Sequence, residues 1–442
     1  MHHYPTAVGS LTGSTRETER SGVRSTKHFF QLPLDYAHPE GEQLTVFARE
    51  LVATEPATPV EERPWLLYLQ GGPGFESPRP APGGWLATAL KTYRVLLLDQ
   101  RGTGLSTPAT TQSILSRGDA TAQSYYLSLL RADNIVRDAE AIRQLLGIQS
   151  WYTLGQSFGG FCTLSYLSLA PEALAGCLIT GGLPDIQGSA EDVYRATYAL
   201  IRRRWAEYLS WYPQDQQVLN AVRDTVANQR VLLPNGEELS VEKLQMLGMF
   251  LGGNARVDQL HYLLETAFLP DGRLSEAFLA TLNDTVSFYR NPLYALIHET
   301  IYGQRGLGAP TAWAAARVKA ELPHYSISAE NLLPTGEHIM PGFFDSDPAL
   351  TPLHEVAELL AGKDDWAPLY NPERLADNTV PVAAAVYADD IFVPVELSLK
   401  TARTISGLQL WLTDEYHHDG LRADGERVFS TLARMAKIPL VE

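Results

Sequence analysis

The most constraining feature of this chain is a six-residue run, Gly155-Gln156-Ser157-Phe158-Gly159-Gly160. A short apolar stretch, 151–154, precedes it and reads as a strand. Residues 158–170 follow and read as a helix. A Gly-x-Ser-x-Gly sequence at such a junction puts the serine on a sharp, strained turn. Small neighbours let the helix pack against the strand, and the turn lifts the hydroxyl out of the sheet. The helix N-terminus behind it supplies a partial positive field and free N–H groups. The plain alternative is a glycine-rich turn whose serine only caps the helix.

The surrounding sequence fits a parallel α/β sheet. Residues 65–69 (WLLYL) and 95–98 (VLLL) are continuously apolar runs of strand length, as expected for strands buried on both faces. Residues 42–52 alternate apolar and polar, the pattern of a half-buried antiparallel strand. Residues 131–146 carry apolar side chains at steps of three and four and end at Gly147, which predicts an amphipathic helix. Residues 178–180 lie in another strand. From 183 to 375 the pattern turns helical, with candidates at 193–209, 241–250, 257–268 and 274–288. Strand-like runs return at 380–387 and 408–412, before a last helix at 421–436. The expected organisation is a flexible N-terminal arm (1–27), a sheet domain (28–182 and 376–442) and an inserted helical domain (183–375).

A nucleophilic serine needs a base, and the base needs an orienting carboxylate. In this type of fold the chain order is serine, acid, histidine. The strand at 380–387 runs into Ala388-Asp389-Asp390, at the carboxyl end of a late strand, where such an acid belongs. Asp390 is the first choice and Asp389 the fallback. After the next strand comes Glu415-Tyr416-His417-His418-Asp419-Gly420. His418 is preferred as the base and His417 is the second choice. Two N–H donors are needed for an oxyanion. Phe158, directly after the serine, offers one. Gly72, in Gln70-Gly71-Gly72-Pro73-Gly74, offers the other, since Pro73 has no N–H.

Together these residues resemble the proline iminopeptidase (prolyl aminopeptidase) family of α/β-hydrolases, in its longer branch. The matching segments are Gly71-Gly72-Pro73-Gly74, Asp99-Gln100-Arg101-Gly102-Thr103-Gly104-Leu105-Ser106, the run around Ser157, Asp390 before Pro394, and His418-Asp419-Gly420. The resemblance implies an α/β-hydrolase fold with a helical cap. It implies removal of an N-terminal residue, preferentially proline, from short peptides through an acyl-enzyme on Ser157. It further implies that cap glutamates hold the free α-ammonium. Glu265 and Glu299 lie in apolar helical contexts and are the candidates, with Glu207 third. The competing role for Glu265 and Glu299 is an internal ion pair with Arg256, Arg290 or Arg305. The many cap aromatics, among them Tyr262, Phe268, Phe288, Tyr289, Tyr294, Tyr302 and Trp313, are expected to be mostly core, a few lining a pocket for the pyrrolidine ring. The alternatives are a carboxylesterase or a peptidase releasing longer N-terminal fragments, and an inactive α/β-hydrolase used for binding. An epoxide hydrolase would need Asp where Ser157 stands.

Composition narrows the partners. The chain has 51 acidic and 35 basic residues, a formal charge of −16, so neither nucleic acid nor an anionic membrane is an expected partner. Its two cysteines, Cys162 and Cys177, have no metal-ligand spacing, and Cys162 is expected to pack inside its helix. No cofactor or metal is expected. The His2-His3 pair is too short for a metal site. The polar N-terminus does not read as a signal peptide and no run is long enough to span a bilayer, so a cytoplasmic location is expected. The oligomeric state is left open.

Overall fold

The computed structural model describes residues 8–17, 19–55, 58–81, 83–304 and 309–441; the His2-His3 pair and Arg305 lie outside them. Nine strands form one sheet: β1 (Ser10–Arg16), β2 (Val23–Pro33), β3 (Gln43–Ala53), β4 (Trp65–Leu69), β5 (Arg94–Asp99), β6 (Trp151–Gln156), β7 (Leu174–Thr180), β8 (Val382–Tyr387) and β9 (Gln409–Thr413). Their spatial order is β1-β2-β3-β5-β4-β6-β7-β8-β9. The first three strands and the β3–β5 junction are antiparallel; all pairings from β5 to β9 are parallel.

The apolar runs split by alternation between two cores. In β4, Leu67 and Leu69 enter one core, Leu66 and Tyr68 the other. In β5 the same division separates Leu96 and Leu98 from Val95 and Leu97. Both faces are therefore covered, and the strands read as continuous hydrophobe rather than as alternation. The helices Ala132–Leu145 and Phe158–Leu169 contribute to the first core, and Gly84–Leu90 and Gly425–Ala436 to the second.

The N-terminal arm expectation is corrected here. Ser10–Arg16 and Val23–Pro33 are paired strands that extend the sheet. Ser14 Oγ meets His28 Nδ1 at 2.8 Å, His28 Nε2 meets Glu50 at 3.1 Å, and Glu50 accepts from Arg94 at 2.7 Å. This chain of polar contacts ties β1 through β2 and β3 to β5. The residues of β1 are nearly all exposed, so backbone pairing holds it without an apolar signature.

Between β7 and β8 no strand of the sheet occurs among the described residues. The segment begins with the helix Ala190–Trp211, started by a reciprocal cap between Ser189 and Asp192. It shares the first core with the sheet, and its Arg203 pairs with Asp389, just past the end of β8. The helix expected at 241–250 is a single α-turn, Val241–Leu244, followed by 3₁₀ turns at Gln245–Gly252. Its end presses on the sheet domain. A Cβ at Gly252 would lie 2.1 Å from the Phe392 ring, and one at Gly253 would lie 2.3 Å from the Asp419 carboxylate.

Candidate active site

Ser157 follows β6 directly and caps the helix Phe158–Leu169 with φ 55° and ψ −124°. This is a sparsely populated conformation for a residue with a side chain. It persists because the surroundings leave the backbone no room to relax. A Cβ on Gly159 would lie 1.9 Å from the Leu69 carbonyl oxygen, and one on Gly155 would lie 2.3 Å from the Gly159 oxygen. Bare glycine backbones here bring helix and strand closer than any side chain allows.

Asp390 and His418 converge on this serine from the ends of β8 and β9. His418 Nε2 is 2.9 Å from Ser157 Oγ, and His418 Nδ1 is 2.7 Å from Asp390 Oδ2. The other Asp390 oxygen accepts the N–H groups of Phe392 at 2.8 Å and Val393 at 3.0 Å. A buried carboxylate so saturated is a fixed orienter: it requires Nδ1 of His418 to carry a proton and leaves Nε2 free to accept one from Ser157. Burial alone would lower the His418 pKa. The charge and hydrogen bond of Asp390, followed by the charges of Glu337 and Asp419, outweigh burial and raise it. The two second choices go elsewhere. Asp389 pairs with Arg203 at 2.6 Å, and His417 Nδ1 meets the Asp389 carbonyl oxygen at 3.0 Å.

Phe158 begins its helix, so its N–H has no intrahelical acceptor. Gly72 lies in the loop after β4 that abuts the serine; a Cβ on the preceding Gly71 would come within 2.9 Å of Ser157 Cβ. The Asp99–Ser106 segment braces this loop. Asp99 accepts from both terminal nitrogens of Arg79 at 3.0 Å and from Leu105 N at 2.9 Å. Gln100 donates to the Gln70 carbonyl at 3.0 Å. Arg101 is buried, paired with Asp138, and donates to the carbonyls of Pro33, Leu34 and Leu129.

The cap carboxylates differ from expectation. Glu265 ends the helix Asn254–Glu265 and is exposed, so it does not meet the buried triad. Glu299 is buried, but its oxygens accept the N–H groups of Ala314 at 3.0 Å and Ala315 at 3.2 Å, capping the helix Ala314–Ala320. It is therefore spent as a cap, and pairs with neither Arg256 nor Arg290. Glu207 is half-exposed and pairs with Arg204 at 2.6 Å. The carboxylate that does approach the triad is Glu337. It lines a small cavity with Tyr194, Thr197, Tyr302, His338, Ile391 and Phe392. Burial alone would raise its pKa, but the hydrogen bond and charge of His298, 3.7 Å away, and then the charge of His418 hold the carboxyl below its usual value.

His338 pins the Glu337 loop. Its Nδ1 accepts from Gly336 N–H at 2.9 Å, so its proton sits on Nε2, which meets Thr197 Oγ1 at 2.9 Å. Burial lowers its pKa to about 3, and its ring stacks on Tyr198 at 4.1 Å. Glu337 escaped sequence reading because it lies in an irregular Pro/Gly segment, Pro334-Thr335-Gly336-Glu337-His338, outside every helical pattern. A glutamate beside a histidine between apolar residues was the available signal. Among the expected aromatics, Tyr302 lines the cavity, Phe288 and Tyr294 are core, and Tyr262 and Tyr289 are exposed. Cys162 is fully buried and burial raises its thiol pKa, in keeping with packing.

Residues 64–232 match the family model described as alpha/beta hydrolase fold. With the sheet order, the elbow and the serine–histidine–aspartate geometry, the chain is an α/β-hydrolase of the serine type. It is 46% identical over 418 residues to a proline iminopeptidase of Aeromonas sobria, a match covering 94% of this chain and 97% of that protein. It is 33% identical over 420 residues to proline iminopeptidase aneH of Aspergillus aculeatus, covering 92% and 93%. The chain belongs to the proline iminopeptidase family. The crystal structure of a Mycobacterium smegmatis proline iminopeptidase superposes with a TM-score of 0.45 at 15% identity, covering 92% of this chain and 97% of that one. No helix among the described residues is long and apolar enough to cross a membrane.

Proposed function

We propose that this chain is a serine aminopeptidase that removes an N-terminal residue, preferentially proline, from short peptides. The observation that carries the reading is one imidazole, His418, bonded to both Ser157 and Asp390 while a cap carboxylate, Glu337, acts on it from the opposite domain. An ester has no use for that carboxylate. A free α-ammonium does, because it would give a full charge partner to a part-buried carboxylate whose ionisable neighbour, His298, stands 3.7 Å away.

Ser157 Oγ attacks the carbonyl of the first residue while His418 Nε2 takes its proton. The oxyanion is met by the N–H groups of Gly72 and Phe158. The imidazolium, held by Asp390, returns the proton to the leaving nitrogen, and the shortened peptide departs. Water, deprotonated by His418, then cleaves the acyl-enzyme and releases the free amino acid. Glu337 replaces Glu265 and Glu299 as the anchor for the substrate amine. Its cavity is about 10 Å³, the room of one water, so entry of a pyrrolidine ring requires lining side chains to shift.

The test compares prolyl anilide with its N-acetylated form. Rapid cleavage of only the free amine supports the reading; equal cleavage of the blocked compound removes it. Ser157→Ala should lower kcat by about 10³-fold or more without loss of fold by circular dichroism.

A further inference from the structure

A second, larger cavity is also lined by Phe392. It measures about 360 Å³ and is bordered by His418, Gln70 and Gln156. Its charged lining consists of Arg79, Arg256, Arg422 and a single carboxylate, Asp419. Arg79 is neutralised by its two-point pairing with Asp99. Arg256 and Arg422 have no carboxylate within ion-pair distance among the described residues. Arg256 stacks on Phe250, 4.8 Å from the ring centre, which steadies the guanidinium without cancelling its charge. Burial, and then the charge of Arg422, push Arg256 below its usual pKa against the opposite pull of Asp419, so the two cations feel each other. In a chain with 51 acidic and 35 basic residues, two arginines without a direct ion pair, sharing one cavity with a single carboxylate, run against composition.

Phe392 lines both cavities, with Glu337 in the small one and the arginines in the large one that His418 also lines. His418 hands its proton to the leaving nitrogen, so the departing peptide lies on its side. We propose that Arg256 and Arg422 form a subsite for the terminal carboxylate of the departing peptide, making di- and tripeptides with a free carboxyl end the favoured substrates. An extended chain advances about 3.3–3.6 Å per residue, so one or two residues beyond the scissile bond stay within a cavity of this size. A guanidinium fork suits a carboxylate, and two of them outnumber the opposing Asp419. This rests on the aminopeptidase reading above.

The experiment measures kcat/KM for Pro-Gly and for Pro-Gly-amide, which differ only in that carboxylate. The ratio within one protein is independent of how much of it is folded. The wild type is expected to favour the acid about ten-fold, less at high salt. Arg256→Gln with Arg422→Gln should bring the ratio to about one, and Arg256→Lys with Arg422→Lys should retain part of it. A wild-type ratio near one, or a preference that survives the double glutamine change, overturns the subsite while prolyl turnover continues. Absence of wild-type turnover on prolyl anilide as well as on both peptides overturns the aminopeptidase reading itself.

Discussion

At the scale of single residues, the site divides into what chain order reveals and what only folding reveals. Ser157, Asp390 and His418 were legible because each sits just past a recognisable strand, and this fold admits one order of the three. Glu337 was not, because nothing local marks a loop glutamate whose influence on His418 arises from tertiary packing, with Gly336 lying close against Ile201 and Phe392. Glu299 misled for a physical reason: an apolar helical context is equally the context of a carboxylate that caps another helix. Two predictions follow from the charges. The raised His418 pKa means that the imidazole, which must be neutral to accept the serine proton, is protonated at a pH where a free one is not. The acidic limb of kcat/KM should therefore have its midpoint above about 6.5, with activity lost as pH falls through it. Glu337→Gln removes one charge favouring the imidazolium, so it should move that midpoint to lower pH. It should also raise KM for prolyl anilide about ten-fold or more. Glu265→Gln, at an exposed position, should change neither; an equal effect from both substitutions would undo the assignment.

At the scale of elements, the parallel strands were legible because each must be apolar on both faces. The edge was not. β1 and β2 are held by backbone pairing and by the Ser14–His28–Glu50–Arg94 chain, and most of their side chains stay partly in water. Periodicity reports burial, and the nearly all-exposed β1 has little to report. The elbow is the reverse case, where the residue pattern and the packing demand coincide. Gly159→Ala should destabilise the protein by about 3 kcal/mol or more, because its methyl would overlap the Leu69 carbonyl, which belongs to a central strand and cannot retreat. Thermal unfolding followed by circular dichroism measures the loss, and an unchanged Tm would contradict the packing described.

At the scale of the whole molecule, the helical insertion was legible as a change of pattern between 183 and 375. Its relation to the sheet was not, since no local pattern states which faces meet. The structure joins them through one hydrophobic core that runs from Leu67 and Phe161 to cap residues such as Tyr198, Leu251 and Phe278. An interface this apolar opposes independent domain motion and independent melting. Calorimetry should therefore record a single cooperative transition, with calorimetric and van't Hoff enthalpies in agreement. Two resolved transitions would mean that the shared core does not couple the parts.

The stretch from Asp390 to Val393 serves two masters. Its one carboxylate aims the imidazole, its backbone amides fasten that carboxylate, and its phenylalanine borders both cavities. On the proposed reading, turnover and selectivity share four consecutive residues, and any change that retunes Phe392 disturbs the aim. Diversification toward other amino-terminal residues has to proceed through the roof, at positions such as Tyr194 and Tyr302, where the chamber can be reshaped while the proton path is left untouched.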